Sequence, residues 1–220
     1  SLLDSNFEDG KALNVEGKDV IVIGGGDTGA DCVATAIRQK CKSVYQFGKH
    51  PVLPNGRTEE TQWPLDPNIF TLDYSYAEVN DVKGYDPREY CIQTKKIVKD
   101  ENGHVKELHT IQMAKVQDEK GVSHFEELPG TERIWPAQHV FVAIGFEGVE
   151  KSLPTQFDIE VKYNRIQASM QNFQTNVPGV FTAGDARRGQ SLVVWAIKEG
   201  REVAASVHQY LQVKKEKVAL

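Results

Sequence analysis

The sequence predicts an α/β fold, a parallel sheet accompanied by an antiparallel β-meander, on three observations. Asp19 to Ile23 is a nearly all-apolar run, as in a parallel strand covered on both faces. The glycines that follow at once open a stretch in which Ala30, Val33, Ala34 and Ile37 recur at i, i+3, i+4 and i+7, one face of a helix. Between Tyr90 and Leu128, strand-like runs alternate with turn clusters. With 220 residues, 40% hydrophobic and 26% charged, the chain suits about one to one and a half domains.

The elements follow in order. The helix begins at Asp27 and has Arg38 and Lys40 near its C-terminus, where cations suit the dipole. Ser43 to Phe47 is the next strand, which completes a strand, glycine turn, helix, strand unit of about 30 residues, the size of a βαβ crossover. A long connection, Gly48 to Asn68, carries Pro51, Pro54, Pro64 and Pro67; Trp63 and Leu65 predict that it is docked. Another element is expected around Ile69 to Val79. The meander is Tyr90 to Lys99, Val105 to Gln117 and Val122 to Leu128, with turns at Asp100-Glu101-Asn102-Gly103 and Asp118-Glu119-Lys120-Gly121. His139 to Ile144 returns to a buried strand pattern and ends at Gly145. A short strand at Val180 to Ala183, Gly184-Asp185, and a helix from about Ser191 to Leu211 with Ala196, Gly200, Val203, Val207 and Leu211 on one stripe close the fold. Lys214 to Lys217 is expected to be a frayed, solvated tail.

Composition excludes several functions. A net charge of −5 and a pI near 5.7 give no basic field for nucleic acid or an anionic membrane. No apolar run approaches the roughly 20 residues of a membrane span, and Ser1 to Lys18 is polar, so the expectation is a soluble, cytoplasmic chain. Cys32, Cys41 and Cys91 form no C-x-x-C pair and no metal-ligand spacing; reduced thiols in or near the core are expected, and no metal site.

Gly24, Gly26 and Gly29 satisfy G-x-G-x-x-G. The first glycine permits the tight turn, the second lets a pyrophosphate approach the backbone, and the third lets helix and strand pack closely. Phosphates then sit on free amides at the positive end of a helix. Placed directly after a buried strand and opening an amphipathic helix, the motif predicts a Rossmann-like dinucleotide site. An NAD or FAD site would place Asp or Glu about 20 residues on, to accept from a ribose. That window reads Tyr45-Gln46-Phe47-Gly48-Lys49-His50. Without a carboxylate there, Lys49 and His50, with Arg57, suit a 2′-phosphate, and NADP(H) is expected over NAD(H). Taken singly, each of the three also reads as a solvated surface charge.

The second constellation is GVFTAGDARRGQSLVVWAIKEGREVA, residues 179–204. Gly184 turns the chain out of its strand, Asp185 offers an acceptor for a ligand hydroxyl, and amides of the following helix offer donors. These features support a ligand site without naming the ligand; an Asp there also serves as a helix cap.

The stretch G-V-F-T-A-G-D resembles the C-terminal flavin motif of the two-dinucleotide-binding flavoprotein reductases. GDARRGQSLVVWAIKEGR resembles the small (beta) subunit of glutamate synthase, as do VIVIGGGDTGADCVATAIR, TQWPLDPNIF, DPREYCIQTKKI and VFVAIGF, in the same order. The resemblance covers nearly the whole chain and is looser in the meander. It implies an NADP(H)-binding domain inserted into an FAD-binding domain, with electrons passing from NADPH to FAD and on through iron–sulfur clusters to a large (alpha) glutamate-forming subunit. Carried over by position, Gly24, Gly25, Gly26, Asp27, Thr28 and Gly29 hold the NADPH pyrophosphate. Ala143, Ile144 and Gly145 lie near the nicotinamide. Gly184 and Asp185 meet the ribityl or phosphate region of the flavin, and Gln190, Ser191, Leu192 and Val193 its ring. Hydride transfer needs no protein acid or base, so no catalytic residue is expected.

The family's cysteine-rich segment and first glycine fingerprint are not in this sequence, and iron–sulfur ligands are absent with them. The expected organisation is a linker or partial FAD-domain segment at 1–17, an NADP(H)-binding Rossmann domain at 18–148, the C-terminal part of an FAD-binding domain at 149–212, and a tail at 213–220. Such a chain is expected to bind NADP(H) without stably retaining FAD; its oligomeric state stays open. A short-chain dehydrogenase would need Tyr-x-x-x-Lys on a mid-chain helix, and only Tyr45 to Lys49 and Tyr210 to Lys214 match. The alternatives carried forward are a non-catalytic nucleotide-binding or docking module and another NADPH-dependent flavoprotein electron-transfer subunit.

Overall fold

The computed structural model describes residues 13–119 and 121–218; the first twelve residues of the expected 1–17 segment, and Lys120 of the second meander turn, lie outside them. The chain divides into two units at Ile144/Gly145.

The first unit opens with β1 (Asp19–Ile23), α1 (Asp27–Arg38) and β2 (Ser43–Phe47), where the sequence pattern predicts them. After the long connection come α2 (Tyr74–Lys83) and β3 (Arg88–Glu89), then β4 (Ile92–Lys99), β5 (Val105–Gln117), β6 (Ser123–Glu127), β7 (Arg133–Pro136) and β8 (His139–Val142). The parallel sheet has the order β3-β2-β1-β8, so β1 is central and its C-terminal end, from which the glycines leave, is flanked on both sides. One face is covered by α1 and α2, through Val33 and Ile37 of α1 and Tyr76 and Val79 of α2, which cluster with Val20, Val22 and Val44. Each such aliphatic side chain buried contributes about 1.5–3 kcal/mol. The other face is covered by the meander, where Leu108 and Trp135 pack on Ile21 and Phe47.

The first unit and the start of the C-terminal stretch depart from the sequence pattern in several places. The loop residues Trp63 and Leu65 are 80% and 59% exposed. The connection is tied down elsewhere, by Phe70 N–H donating to the Pro54 carbonyl at 2.8 Å and by Arg57 donating to the carbonyls of Thr61 and Leu65. The element near Ile69 to Val79 is a helix displaced to Tyr74–Lys83 and ended by Gly84 in the left-handed region (φ 79°). The meander has a further strand, β7, on the far side of β5. β8 is half-buried because it lies at the edge of the sheet, with Val142 65% exposed. The expected strand at Val180 to Ala183 reduces to one bridge, Gln174 with Phe181, because the Thr175 hydroxyl bonds the carbonyls of Val177 and Val180 and tightens the turn between them.

The second unit contains α3 (Ser152–Gln156), a two-residue hairpin of β9 (Val161–Lys162) and β10 (Arg165–Ile166), α4 (Asp185–Arg188) and α5 (Val193–Val218). α5 continues through the segment expected to fray. Its inward side also departs from the expected stripe: Ala196, Val203 and Val207 are half-buried, but Gly200 and Leu211 are exposed and the fully buried position is Glu199. A buried carboxylate reads as polar in any hydrophobic pattern, which hides the true face. Among the described residues no helix is long and apolar enough to cross a membrane.

Candidate nucleotide site

The glycine loop is built by close backbone approach. Gly24 leaves β1 at φ 126°, donates its N–H to the Phe47 carbonyl at 2.9 Å, and has no room for a side chain: a Cβ there overlaps the Ala143 carbonyl. Ala143 is held in turn by its N–H to the Ile23 carbonyl at 2.7 Å. Gly29, one turn into α1, is excluded from bearing a Cβ by the Gln46 side-chain amide and by the Gly24 carbonyl, 2.5 Å from where that Cβ would be. Gln46 is 2% exposed and donates to the Gly24 carbonyl at 2.7 Å. The third glycine thus serves a specific clamp from β2 to the loop.

Between these fixed points the loop is open. Gly25 and Gly26 are exposed, a Cβ on Gly26 would meet nothing within 4 Å, and Gly26 caps α1 with no side-chain hydrogen bond. The first backbone bond of the helix runs from Ala30 to Gly26 at 3.1 Å. The amides of Asp27, Thr28 and Gly29 therefore begin a helix whose positive end has no side-chain acceptor, a geometry that receives an anion. The pyrophosphate of a dinucleotide fits it.

Beside the loop lies a cleft of about 210 Å³, lined on one side by Gly25, Gly26 and Asp27 and also by Gly48, just past the end of β2. Lys49 and His50 follow Gly48 and are exposed; the His50 carbonyl accepts from Cys91 N–H at 3.1 Å. Arg57 lies further along the connection with its guanidinium committed to the Thr61 and Leu65 carbonyls. The sequence pattern does not single out Gln46 or Arg88, and both line the cleft. Gln46 stood in the window searched for a carboxylate; its only signal is one polar residue at an inward position between Val44 and Phe47. Arg88 lies 11% exposed on β3, bonded to Asp86 and to the Thr71 carbonyl. Burial alone would lower the Arg88 pKa, but the hydrogen bonds and charge of Asp86 outweigh it and raise the value. Burial raises the Tyr76 phenol.

On the other side of β1, Ala143 ends the sheet; Ile144 is 73% exposed and Gly145 has φ 102°. In the second unit, Gly184 has φ 60° and donates its N–H to Glu199 Oε2 at 2.8 Å. Asp185 is exposed at the first position of α4, and its Oδ1 accepts from Ser191 N–H at 3.4 Å. Gln190, Ser191, Leu192 and Val193 are all exposed. Cys41 is buried, Cys32 and Cys91 are half-buried, and all three thiols are free. Among the described residues no group of His, Cys, Asp and Glu is arranged to hold a metal ion.

A family model described as pyridine nucleotide-disulphide oxidoreductase matches residues 3–200. The chain is 63% identical over 211 residues to a Bacillus subtilis protein named glutamate synthase [NADPH] small chain, covering 96% of this chain and 43% of that one. It is 42% identical over 215 residues to Schizosaccharomyces pombe glutamate synthase [NADH], covering 97% of this chain and 10% of that one. The chain thus spans less than half the length of these relatives. A crystal structure of T. acidophilum thioredoxin reductase superimposes with a TM-score of 0.58 at 20% identity, over 90% of this chain and 53% of that one; this likeness concerns the fold.

Proposed function

The chain belongs to the pyridine nucleotide-disulphide oxidoreductase family, and on that premise we propose that it is the NADPH-binding part of a glutamate synthase small subunit. In this reading NADPH gives its electrons to FAD, and they pass through iron–sulfur clusters to a large subunit that makes glutamate from glutamine and 2-oxoglutarate. The observation that carries the reading is the glycine loop: two positions where a Cβ is sterically excluded frame two where the backbone is bare, over an uncapped helix N-terminus.

In the proposed division of labour, Gly24 to Gly29 receive the pyrophosphate, and Lys49 and His50 the 2′-phosphate. Arg57 takes part by holding the loop that carries them. Ala143, Ile144 and Gly145 border the nicotinamide. Gly184, Asp185 and residues 190–193 form one side of a flavin site. The exposure of Leu192, Val193, Val194 and Ile197, each above half, supports that reading: an apolar run of this kind is ordinarily covered. The proposed domain boundaries are 18–148 for the nucleotide domain and 149–212 for the flavin part, and the proposed compartment is the cytoplasm. Bound together, nicotinamide and flavin supply the hydride transfer; these residues bind, align and exclude water.

The test is nucleotide titration of the purified chain, followed by addition of FAD and an artificial electron acceptor. NADPH should bind more tightly than NADH, and the chain should carry no stoichiometric yellow flavin when purified without added FAD. Equal or tighter NADH binding overturns the cofactor assignment, and stoichiometric flavin overturns the half-site. Binding without turnover in the presence of FAD favours the docking-module alternative.

A further inference from the structure

The cleft beside the glycine loop is lined by a cation that the nucleotide reading has not used. Arg88 reaches into it from β3 with its guanidinium carbon 4.3 Å from the Tyr76 ring centre and 4.4 Å from that of Phe70. Its Nε and Nη2 donate to Asp86 at 2.9 and 2.7 Å, and its Nη1 to the Thr71 carbonyl at 2.9 Å. Phe70 and Thr71 are the returning end of the long connection that also carries Lys49 and His50. Arg88 therefore fastens that connection to the edge of the sheet.

Sheet order assigns the cleft to one end of the nucleotide. A pyrophosphate on the loop lies over the end of β1; β2 and β3 lie on one side of it and β8 on the other. The nicotinamide is proposed for the β8 side, so the adenosine falls toward β3. The volume agrees, since about 210 Å³ is below the ~300–1,000 Å³ of a pocket that takes a whole drug-sized ligand. So does charge. Asp86 neutralises Arg88, and away from the glycine loop Asp73 and Glu89 line the cleft, which disfavours a phosphate in that part of it and suits the hydroxyl and amino donors of a ribose and base.

We infer that Arg88 is a positioning residue for the adenosine end of NADP(H): by stacking on Phe70 and Tyr76 and holding the Thr71 carbonyl, it sets the wall against which the base and ribose lie. This inference rests on the nucleotide reading proposed above. The 2′-phosphate then points out of the cleft, toward Lys49 and His50.

The experiment compares three ligands on the whole chain: NADPH, 2′,5′-ADP, which has only the adenosine end, and inorganic pyrophosphate, which probes only the loop amides. Arg88→Ala should weaken NADPH and 2′,5′-ADP by roughly tenfold each and leave pyrophosphate within about twofold. Arg88→Lys, which keeps the pair with Asp86 but not the flat stack, should recover part of the loss. Phe70→Leu removes the ring from a half-exposed loop position, where folding is not at risk, and should weaken 2′,5′-ADP several-fold without changing pyrophosphate binding. Unchanged 2′,5′-ADP affinity in Phe70→Leu, or in a folded Arg88→Ala, overturns the inference, as does an equal loss of pyrophosphate. If the unsubstituted chain binds none of the three, the nucleotide reading itself fails.

Discussion

Replacing Glu199 by glutamine removes one charge from a buried cluster and leaves its shape in place. The Glu199 side chain is 2% exposed; it accepts from Arg187 Nη2 at 2.5 Å, from Arg188 Nε at 2.8 Å and from the Gly184 amide at 2.8 Å. Burial alone would raise its pKa, but the Arg187 hydrogen bond, the Gly184 amide and Arg188 together hold it down, from 4.5 to about 2. At about 1.36 kcal/mol per pKa unit, such a shift corresponds to an upper limit near 3.4 kcal/mol. Arg188 is 37% exposed, and screening there reduces the expected loss in Glu199→Gln to about 2–3 kcal/mol. The pH dependence has a definite sign. The folded carboxyl is the stronger acid, so its contribution is fully present above the unfolded pKa of 4.5 and is lost as pH falls through about 2. Hydrogen exchange of peptides spanning residues 182–200, with urea unfolding alongside, measures the gap between the two proteins. It should be full near neutral pH and more than half gone by about pH 3. A gap below about 0.5 kcal/mol at neutral pH, or one that does not change on acidification, refutes the reasoning.

Three further outcomes are expected. Gly24→Ala places a methyl group on the Ala143 carbonyl at a backbone conformation (φ 126°) that side chains avoid; NADPH binding should fall at least tenfold by titration, with stability down by about 2 kcal/mol or more in urea. Lys49→Glu should weaken NADPH about tenfold while NADH changes by less than about threefold; equal losses would remove Lys49 from the 2′-phosphate. Trp135→Phe deletes a buried donor to Thr110 Oγ1 at 2.8 Å and part of the packing against Tyr45 and Phe47. It should cost about 2–4 kcal/mol in urea unfolding of the first unit.

The parts legible in the sequence are those whose physics is local. Asp19 to Ile23, the three spaced glycines and the Ala30 to Ile37 stripe each announce themselves within one turn or strand, and β1, α1 and β2 fall where the pattern puts them. The long β5 and its neighbours β4 and β6 are legible for the same reason, through alternation and turns that each begin with Asp and end with Gly, at 100–103 and 118–121. What escapes depends on distant partners. β7 is four residues that form a strand because β5 has a free edge. α2 has polar residues such as Asn80 and Asp81 among its apolar ones, so its period is faint. Glu199 looks like a surface residue until Arg187 and Arg188 are seen to close over it. Arg88 is equally silent, because the rings of Phe70 and Tyr76 come from a loop and a helix that precede it in the chain.

The Ala143 carbonyl that backs Gly24 has a consequence for synthesis. A ribosome delivers the glycine loop first, then the connection and the whole meander, and only afterwards the strand that supplies its rear wall. At about 5–20 residues per second that interval is on the order of ten seconds. Throughout it β1 has one unpaired edge and the loop has no backstop. On the proposed reading, the loop reaches its nucleotide-binding geometry only once the last sheet strand has arrived.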